Sequence, residues 1–374
     1  MVGRRSIQLA SRIAKQRAYP LHQQQVSGTG SPAVVNVSTR AAATFGERRD
    51  ARSLASGAEL RVRASRELGP LVRPVNATFS TSASEADIKA FEGKAADYYD
   101  DANTLNFYKQ VWGDTMHTGR YGLLQGEDAN LEGKARIVRA TELAGEVLLQ
   151  KVFCPGGPSP DTCTIMDMGG ASGELARMAA STYGCKVVCI DLSRELNVLN
   201  AERSAAAGLS DKIIIPGERS YFDTQVPDSS MDAVVSQDAF GHAYTEQHRA
   251  IKEAARVLKP GGMIAFTDLM KSDTADLSDL EEVFRHRRIK GIASPAMYRG
   301  WAEDYGMEFV EFDDKTTDFA EHYSSILAQI ASIRGTIEGV SDEHLDWMTT
   351  RYGAWVTAAN NKVVTTGEVV MKKK

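Results

Sequence analysis

The chain has 374 residues, with 44 Lys and Arg against 49 Asp and Glu, and 43% of it is hydrophobic. That length suits one large α/β domain with appendages, and no apolar run is long enough for a membrane-spanning helix. Charge is divided unevenly: residues 1–83 hold 13 basic and 4 acidic residues, so the remainder carries a net −14, which offers nucleic acid no electrostatic footprint.

Residues 1–46 contain no Asp or Glu but hold Arg4, Arg5, Arg12, Lys15, Arg17 and Arg40, interleaved with Ile7, Leu9 and Ile13. A basic, hydroxyl-rich, acid-poor leader reads as an organelle transit peptide. Thr78-Phe79-Ser80-Thr81-Ser82 resembles the end of many mitochondrial presequences. Residues 1–83 are therefore expected to be a removable mitochondrial targeting segment, with the plastid as the alternative destination. Residues 84–150 are expected to form an N-terminal helical lid, rich in aromatics: Tyr98, Tyr99, Phe107, Tyr108, Trp112 and Tyr121. Aromatics at helical spacing are usually core. Gathered here they also suit a flap whose ring faces attract a cation, each worth about 0.5–2 kcal/mol.

Thr164-Ile165-Met166 ends an apolar strand, and Asp167-Met168-Gly169-Gly170-Ala171-Ser172-Gly173 follows before helix-forming residues 174–182. A strand feeding a helix through glycines turns backbone N–H groups and a helix N-terminus toward a ligand. Val187-Val188-Cys189-Ile190-Asp191 reads as the second strand, ending on a carboxylate that suits ribose hydroxyls. The glycine spacing departs from the G-x-G-x-x-G of dinucleotide enzymes. An acid opening the turn suits a cationic ligand better than a pyrophosphate, although strand–glycine–helix turns also occur with no ligand.

Strands and helices continue to alternate: a strand at 212–216, a strand at 231–236, an amphipathic helix at 246–258 stopped by Lys259-Pro260-Gly261-Gly262, and a strand at 263–267. Such alternation implies a parallel sheet with ligands at the strands' carboxyl ends. Residues 271–293 read as a polar helical cap. A helix starts at Ser294-Pro295, a strand follows at 308–312, then helices at about 318–336 and 342–360, and a last, antiparallel strand at 362–371. The four cysteines form no C-x-x-C and the histidines no ligand spacing, so neither disulfides nor a metal are expected.

The turn at 167–173 resembles the D-x-G-x-G-x-G of class I S-adenosylmethionine methyltransferases, with Ala171 for the middle glycine. Gly217, Ser236-Gln237-Asp238-Ala239-Phe240 and Arg256-Val257-Leu258-Lys259-Pro260-Gly261-Gly262 fit the same class. Tyr98-Tyr99-Asp100, Asn106-Phe107-Tyr108, Val111-Trp112-Gly113, His117-Thr118-Gly119, Thr267-Asp268-Leu269-Met270-Lys271 and Met297-Tyr298-Arg299 resemble sarcosine/dimethylglycine N-methyltransferases. The resemblance spans roughly residues 95–372. It implies a Rossmann-like seven-stranded sheet over 151–374, an N-terminal helical lid and a cap after strand five.

It also implies S-adenosylmethionine as cofactor, with Asp167, Gly169, Gly170, Ala171 and Gly173 beside its amino-acid portion. Asp191 and Leu192 would take the ribose, Glu218, Arg219 and Ser220 the adenine, and Gln237 the methionine end. Tyr98, Tyr99, Phe107, Trp112, His117, Arg299, His322 and Tyr323 are the candidate substrate residues, and Asp238 and His242 the candidate catalytic ones. The implied function is methylation of a small carboxylate-bearing metabolite, sarcosine or dimethylglycine, to give glycine betaine. Similar algal enzymes methylate a thioether, 4-methylthio-2-hydroxybutyrate, towards dimethylsulfoniopropionate. A catalytically silent assembly subunit is the reading from another class.

Overall fold

The computed structural model describes residues 83–113, 120–123, 128, 130–243, 245–287 and 291–374. The expected targeting segment, up to residue 82, lies outside them. The sheet is built from β1 (Thr164–Met168), β2 (Lys186–Ile190), β3 (Ile213–Ile214), β4 (Met231–Gln237), β5 (Leu258–Lys271), β6 (Met307–Asp314) and β7 (Val364–Lys373). Their order is β3-β2-β1-β4-β5-β7-β6. β1 pairs in parallel with β2 and β4, and β7 runs antiparallel to both β5 and β6.

The central strands are apolar on both faces because helices cover both. Met166, Met168, Ile190 and Val234 face one core, while Ile165, Val187, Cys189 and Val235 face another. The helices between strands are α4 (Glu174–Tyr183), α5 (Arg194–Ala206) and α6 (Gln247–Val257), followed after β5 by α7 (Glu281–Arg287) and α8 (Pro295–Asp304). α4 stops at Gly184, whose φ of 73° is left-handed. α5 starts on Ser193, whose side chain accepts from the Leu196 N–H at 3.1 Å.

Several boundaries differ from those expected, two of them for a local reason. β3 is only two residues long, because Pro216 has no N–H to donate and Gly217 turns with φ 95°. β5 begins at Leu258 rather than Met263. Its pairing with β4 shifts between Met231 and Ala233, so Pro260-Gly261-Gly262 sits in an irregularity at its start.

A third core lies beside the sheet. It joins α2 (Ala102–Trp112), α3 (Gly133–Val152), α9 (Thr316–Ile333) and α10 (Asp342–Asn360) around Phe107, Trp112, Tyr323 and Tyr352. The helical segment after β5 holds a short 3-10 turn, Leu277–Leu280, and α7. Leu280, Val283 and Ile292 bury against this aromatic core. Among the described residues, no helix is long and apolar enough to cross a membrane. α1 (Glu85–Asp100) has one fully buried apolar side chain, Ile88. Phe91, Tyr98 and Tyr99 pack against the aromatic core, and polar contacts add to the hold, from Ser193 Oγ to Asp100 and from Ser220 Oγ to Glu92, both at 2.5 Å.

Candidate active site

The strand order reverses between β2 and β4 around β1, which opens a crevice at the strands' carboxyl ends. There the chain leaves β1 through Gly169 and Gly170, whose N–H groups both donate to Ile190 O, at 2.8 and 3.1 Å. Gly169 has φ 77°, and a Cβ there would lie 2.4 Å from that of Ala239. Gly173 has φ 82°, and its Cβ would lie 1.9 Å from Asn200 Oδ1. Gly173→Ala is therefore expected to destabilise the fold by about 2–4 kcal/mol through strain and overpacking. The check is its urea midpoint, which an unstrained turn would leave unchanged.

Ala171 also adopts a left-handed φ, 49°, which disfavours a side chain by about 1–2 kcal/mol. What offsets this is the hydrogen bond from its N–H to Asp191 Oδ2, 2.8 Å. The other oxygen of Asp191 accepts from Ser193 N–H at 2.9 Å. One carboxylate thus ties the first turn to the start of α5.

Two further acids, Asp167 and Glu174, crowd the same place; Arg120 acts on both, and Arg177 and Arg203 also lie 3.6 and 3.5 Å from Glu174. Arg120 donates from Nη1 to Gln237 Oε1 at 2.8 Å, and its Nη2 lies 3.7 Å from Glu174 Oε2. Its carbonyl is gripped by Trp112 Nε1 at 3.1 Å and His322 Nε2 at 3.0 Å. Burial pushes His322 down to about 3, so its imidazole is neutral. Burial pushes Asp167 up to about 7; Arg120 opposes the rise, and Asp191 and Glu174 add to it. Asp167 Oδ2 and Gln237 Nε2 are buried without hydrogen-bond partners. An acceptor and a donor thus stand unmatched beside a buried guanidinium, the complement of an α-amino acid's ammonium and carboxylate.

Glu92, Ala95 and Ala96 of α1 cover the crevice, and Leu192, Leu196 and Tyr221 also line it. Tyr99, Asp238 and His242 line both it and a second pocket with aromatic walls, Tyr108, Phe319, Tyr323, Tyr352 and Trp355. Tyr99 OH lies 3.1 Å from His242 Nε2. Asp238 accepts from Tyr121 N–H at 3.0 Å and Thr267 Oγ1 at 2.8 Å. His242 borders a third, outer cavity of about 520 Å³, rimmed by exposed Lys94, Asp97, Asp101 and Glu343.

A family profile described as a methyltransferase domain matches residues 166–266. The chain is 30% identical to the sarcosine/dimethylglycine N-methyltransferase of Aphanothece halophytica, over 72% of this chain and 92% of that protein. The chain belongs to the class I S-adenosylmethionine-dependent methyltransferases. It is 34% identical to the glycine/sarcosine/dimethylglycine N-methyltransferase of Actinopolyspora halophila, over 71% of its own length but only 45% of that longer protein. A crystal structure from Galdieria sulphuraria, assigned to the sarcosine dimethylglycine methyltransferases, superimposes with a TM-score of 0.66 at 26% identity. The match covers 72% of this chain and 98% of that one.

The residues at the crevice fit the cofactor's amino-acid portion and ribose. Arg120 and Gln237 suit the carboxylate, Asp167 the ammonium, and Asp191 keeps lone pairs for ribose hydroxyls. Bound there, S-adenosylmethionine supplies a methyl group on a cationic sulfur.

Of the residues named from sequence, Gly169, Ala171, Asp191, Leu192, Gln237, Asp238, His242 and Tyr99 line the crevice. Asp167, Gly170 and Gly173 do not line it: Asp167 is buried beside Arg120, and the two glycines shape the turn. Glu218 bridges Asp191, and the Arg219 N–H donates to Asp191 O at 2.9 Å. Ser220 holds α1 through Glu92, and of residues 218–221 only Tyr221 lines the crevice.

The expected substrate residues divide. Tyr323 lines the aromatic pocket and Tyr98 the outer cavity. Phe107 and Trp112 are wholly buried in the aromatic core and line none of these cavities. His322 likewise stays behind the wall, holding Arg120. Arg299 is not brought to the site, since its guanidinium lies over the Phe309 ring at 4.2 Å. His117 lies outside the described residues.

Arg120, Tyr221 and Arg351 line these cavities and were not named from the sequence. Arg120 has no local period to mark it. Arg351 did carry a signal. Trp347, Arg351 and Trp355 repeat every four residues and share one helix face.

Proposed function

We propose that this methyltransferase methylates sarcosine and dimethylglycine, ending at glycine betaine. The observation that carries the reading is the junction of Tyr99, Asp238 and His242, shared by the cofactor crevice and the aromatic pocket. A nucleophile in the pocket meets a methyl group in the crevice only there. Orientation of this kind supplies about 7–11 kcal/mol of a displacement barrier. The aromatic ring faces favour the cation that each transfer forms. The outer cavity's rim sets Asp97, Asp101 and Glu343 against Lys94, which admits a zwitterion at less electrostatic cost than an anion. The names of the relatives support the same substrates.

An alkylammonium of pKa ~10 is only about 0.1% neutral at pH 7, so a proton must leave before nitrogen attacks. Asp238 is held by Tyr121 and Thr267. His242, where the three cavities meet, is the side chain placed to pass that proton outward. With dimethylglycine, kcat/KM is expected to rise about tenfold per pH unit between pH 6 and 8. A thioether, whose lone pair is free at every pH, gives a flat profile. Activity confined to thioethers, or a flat profile with dimethylglycine, rejects the amine reading.

A further inference from the structure

We propose that Arg351 is the receptor for the substrate's carboxylate, and that it makes the pocket selective for carboxylate-bearing substrates. The assignment rests on reading the aromatic pocket as the substrate's. Arg351 is 4% exposed and lines both the outer cavity and the aromatic pocket. Among the described residues no carboxylate pairs with it. One of its nitrogens, Nη1, lies 3.1 Å from Tyr98 OH, and its Nε has no partner. The rest of its surroundings are ring faces, with Trp355 at 4.8, Trp347 at 5.2, Tyr98 at 5.7 and Tyr352 at 5.9 Å from its Cζ.

A buried guanidinium with donors to spare costs several kcal/mol unless an anion meets it. Ring faces return part of that and leave the planar fork of donors open. A carboxylate is the group that fits such a fork, through two parallel hydrogen bonds. The arginines around the first turn do not share this state. Arg120 already has Glu174 and Gln237, and Arg177 has Glu174.

The placement also orients the substrate. Arg351 and the junction residues Asp238 and His242 line the same pocket. A carboxylate held at Arg351 turns the nucleophilic end of a short molecule toward the junction, where the crevice begins. The expected clamp Arg299, stacked on Phe309, has no such position.

The test uses the full chain with S-adenosylhomocysteine and calorimetry. The probes are dimethylglycine and 4-methylthio-2-hydroxybutyrate, each against its own primary amide. The native protein is expected to bind at least one carboxylate about 100-fold more tightly than its amide. Arg351→Gln is expected to bring the two within threefold, and Arg351→Lys, which keeps charge but loses the fork, to fall between. Equal binding of carboxylate and amide by the native protein overturns the assignment, and this comparison needs no variant to fold. So does an Arg351→Gln protein with native melting that keeps the preference, or a native protein that binds neither carboxylate. If only the thioether acid binds and reacts, the amine reading fails while Arg351 keeps its role.

Discussion

Asp191→Ala is expected to weaken S-adenosylmethionine binding by at least about 100-fold while leaving the sheet folded. Asp191 does two jobs with two oxygens. It accepts the N–H groups of Ala171 and Ser193, at 2.8 and 2.9 Å, and it lines the crevice with lone pairs remaining for a ribose. Alanine leaves both N–H groups without an acceptor, at about 1–3 kcal/mol each. It also releases Ala171 from the contact that holds its left-handed φ. The lost charge-assisted bonds to ribose add about 1.5–3 kcal/mol. Asp191→Asn should be intermediate, because its amide can accept from one N–H but presents a donor to the other. Calorimetry with S-adenosylmethionine and with methylthioadenosine, which lacks the amino-acid portion, reads the effect. Both should be lost together, since the defect is at the ribose. An Asp191→Ala protein that binds either ligand within threefold of the native protein would falsify the assignment.

That residue was legible because its meaning is local. A carboxylate closing the second strand, twenty-four residues past the turn's opening acid, needs only strand periodicity and glycine spacing to be placed. The seven-stranded sheet was legible for the same reason: apolar runs alternating with amphipathic helices admit few topologies.

Arg120 shows where local reading ends. Its partner Gln237 lies 117 residues away and the His322 that grips its carbonyl 202 residues away. Nothing in the neighbouring sequence encodes either distance. The aromatics show a different limit. Tyr99 faces the crevice whereas Trp112 and Phe107 are core, yet their composition and spacing are alike. Only the packing of α9 and α10 against them, more than two hundred residues later, decides which ring is wall and which is interior.

Asp167→Asn is expected to stabilise the ligand-free protein at pH 8 and to remove the pH dependence of cofactor binding. Asp167 is 1% exposed, and one of its oxygens has no partner. Burial pushes its pKa up to about 7, with Arg120 opposing and Asp191 and Glu174 reinforcing the rise. In the unfolded chain an aspartate titrates near ~3.9. Between about pH 4 and 7 the native state therefore binds a proton that the unfolded state has released. Stability from this group is full below ~4 and is lost as pH rises through 7. At about 1.4 kcal/mol per pH unit, the loss reaches up to about 4 kcal/mol. Asparagine carries no such term, so the two proteins should melt alike at pH 4 and separate progressively above it. Glu368, also pushed up to about 7 by burial, titrates in both proteins and cancels in the difference. Binding reverses the sign. A cationic ammonium beside Asp167 favours the ionised carboxylate, so native affinity for S-adenosylmethionine should rise about tenfold from pH 6 to 8. The variant's affinity should be weaker and flat over the same range. Parallel melting curves for the two proteins from pH 4 to 8 would show that Asp167 stays ionised in the folded chain, and the electrostatic account of this end of the crevice would fall with it.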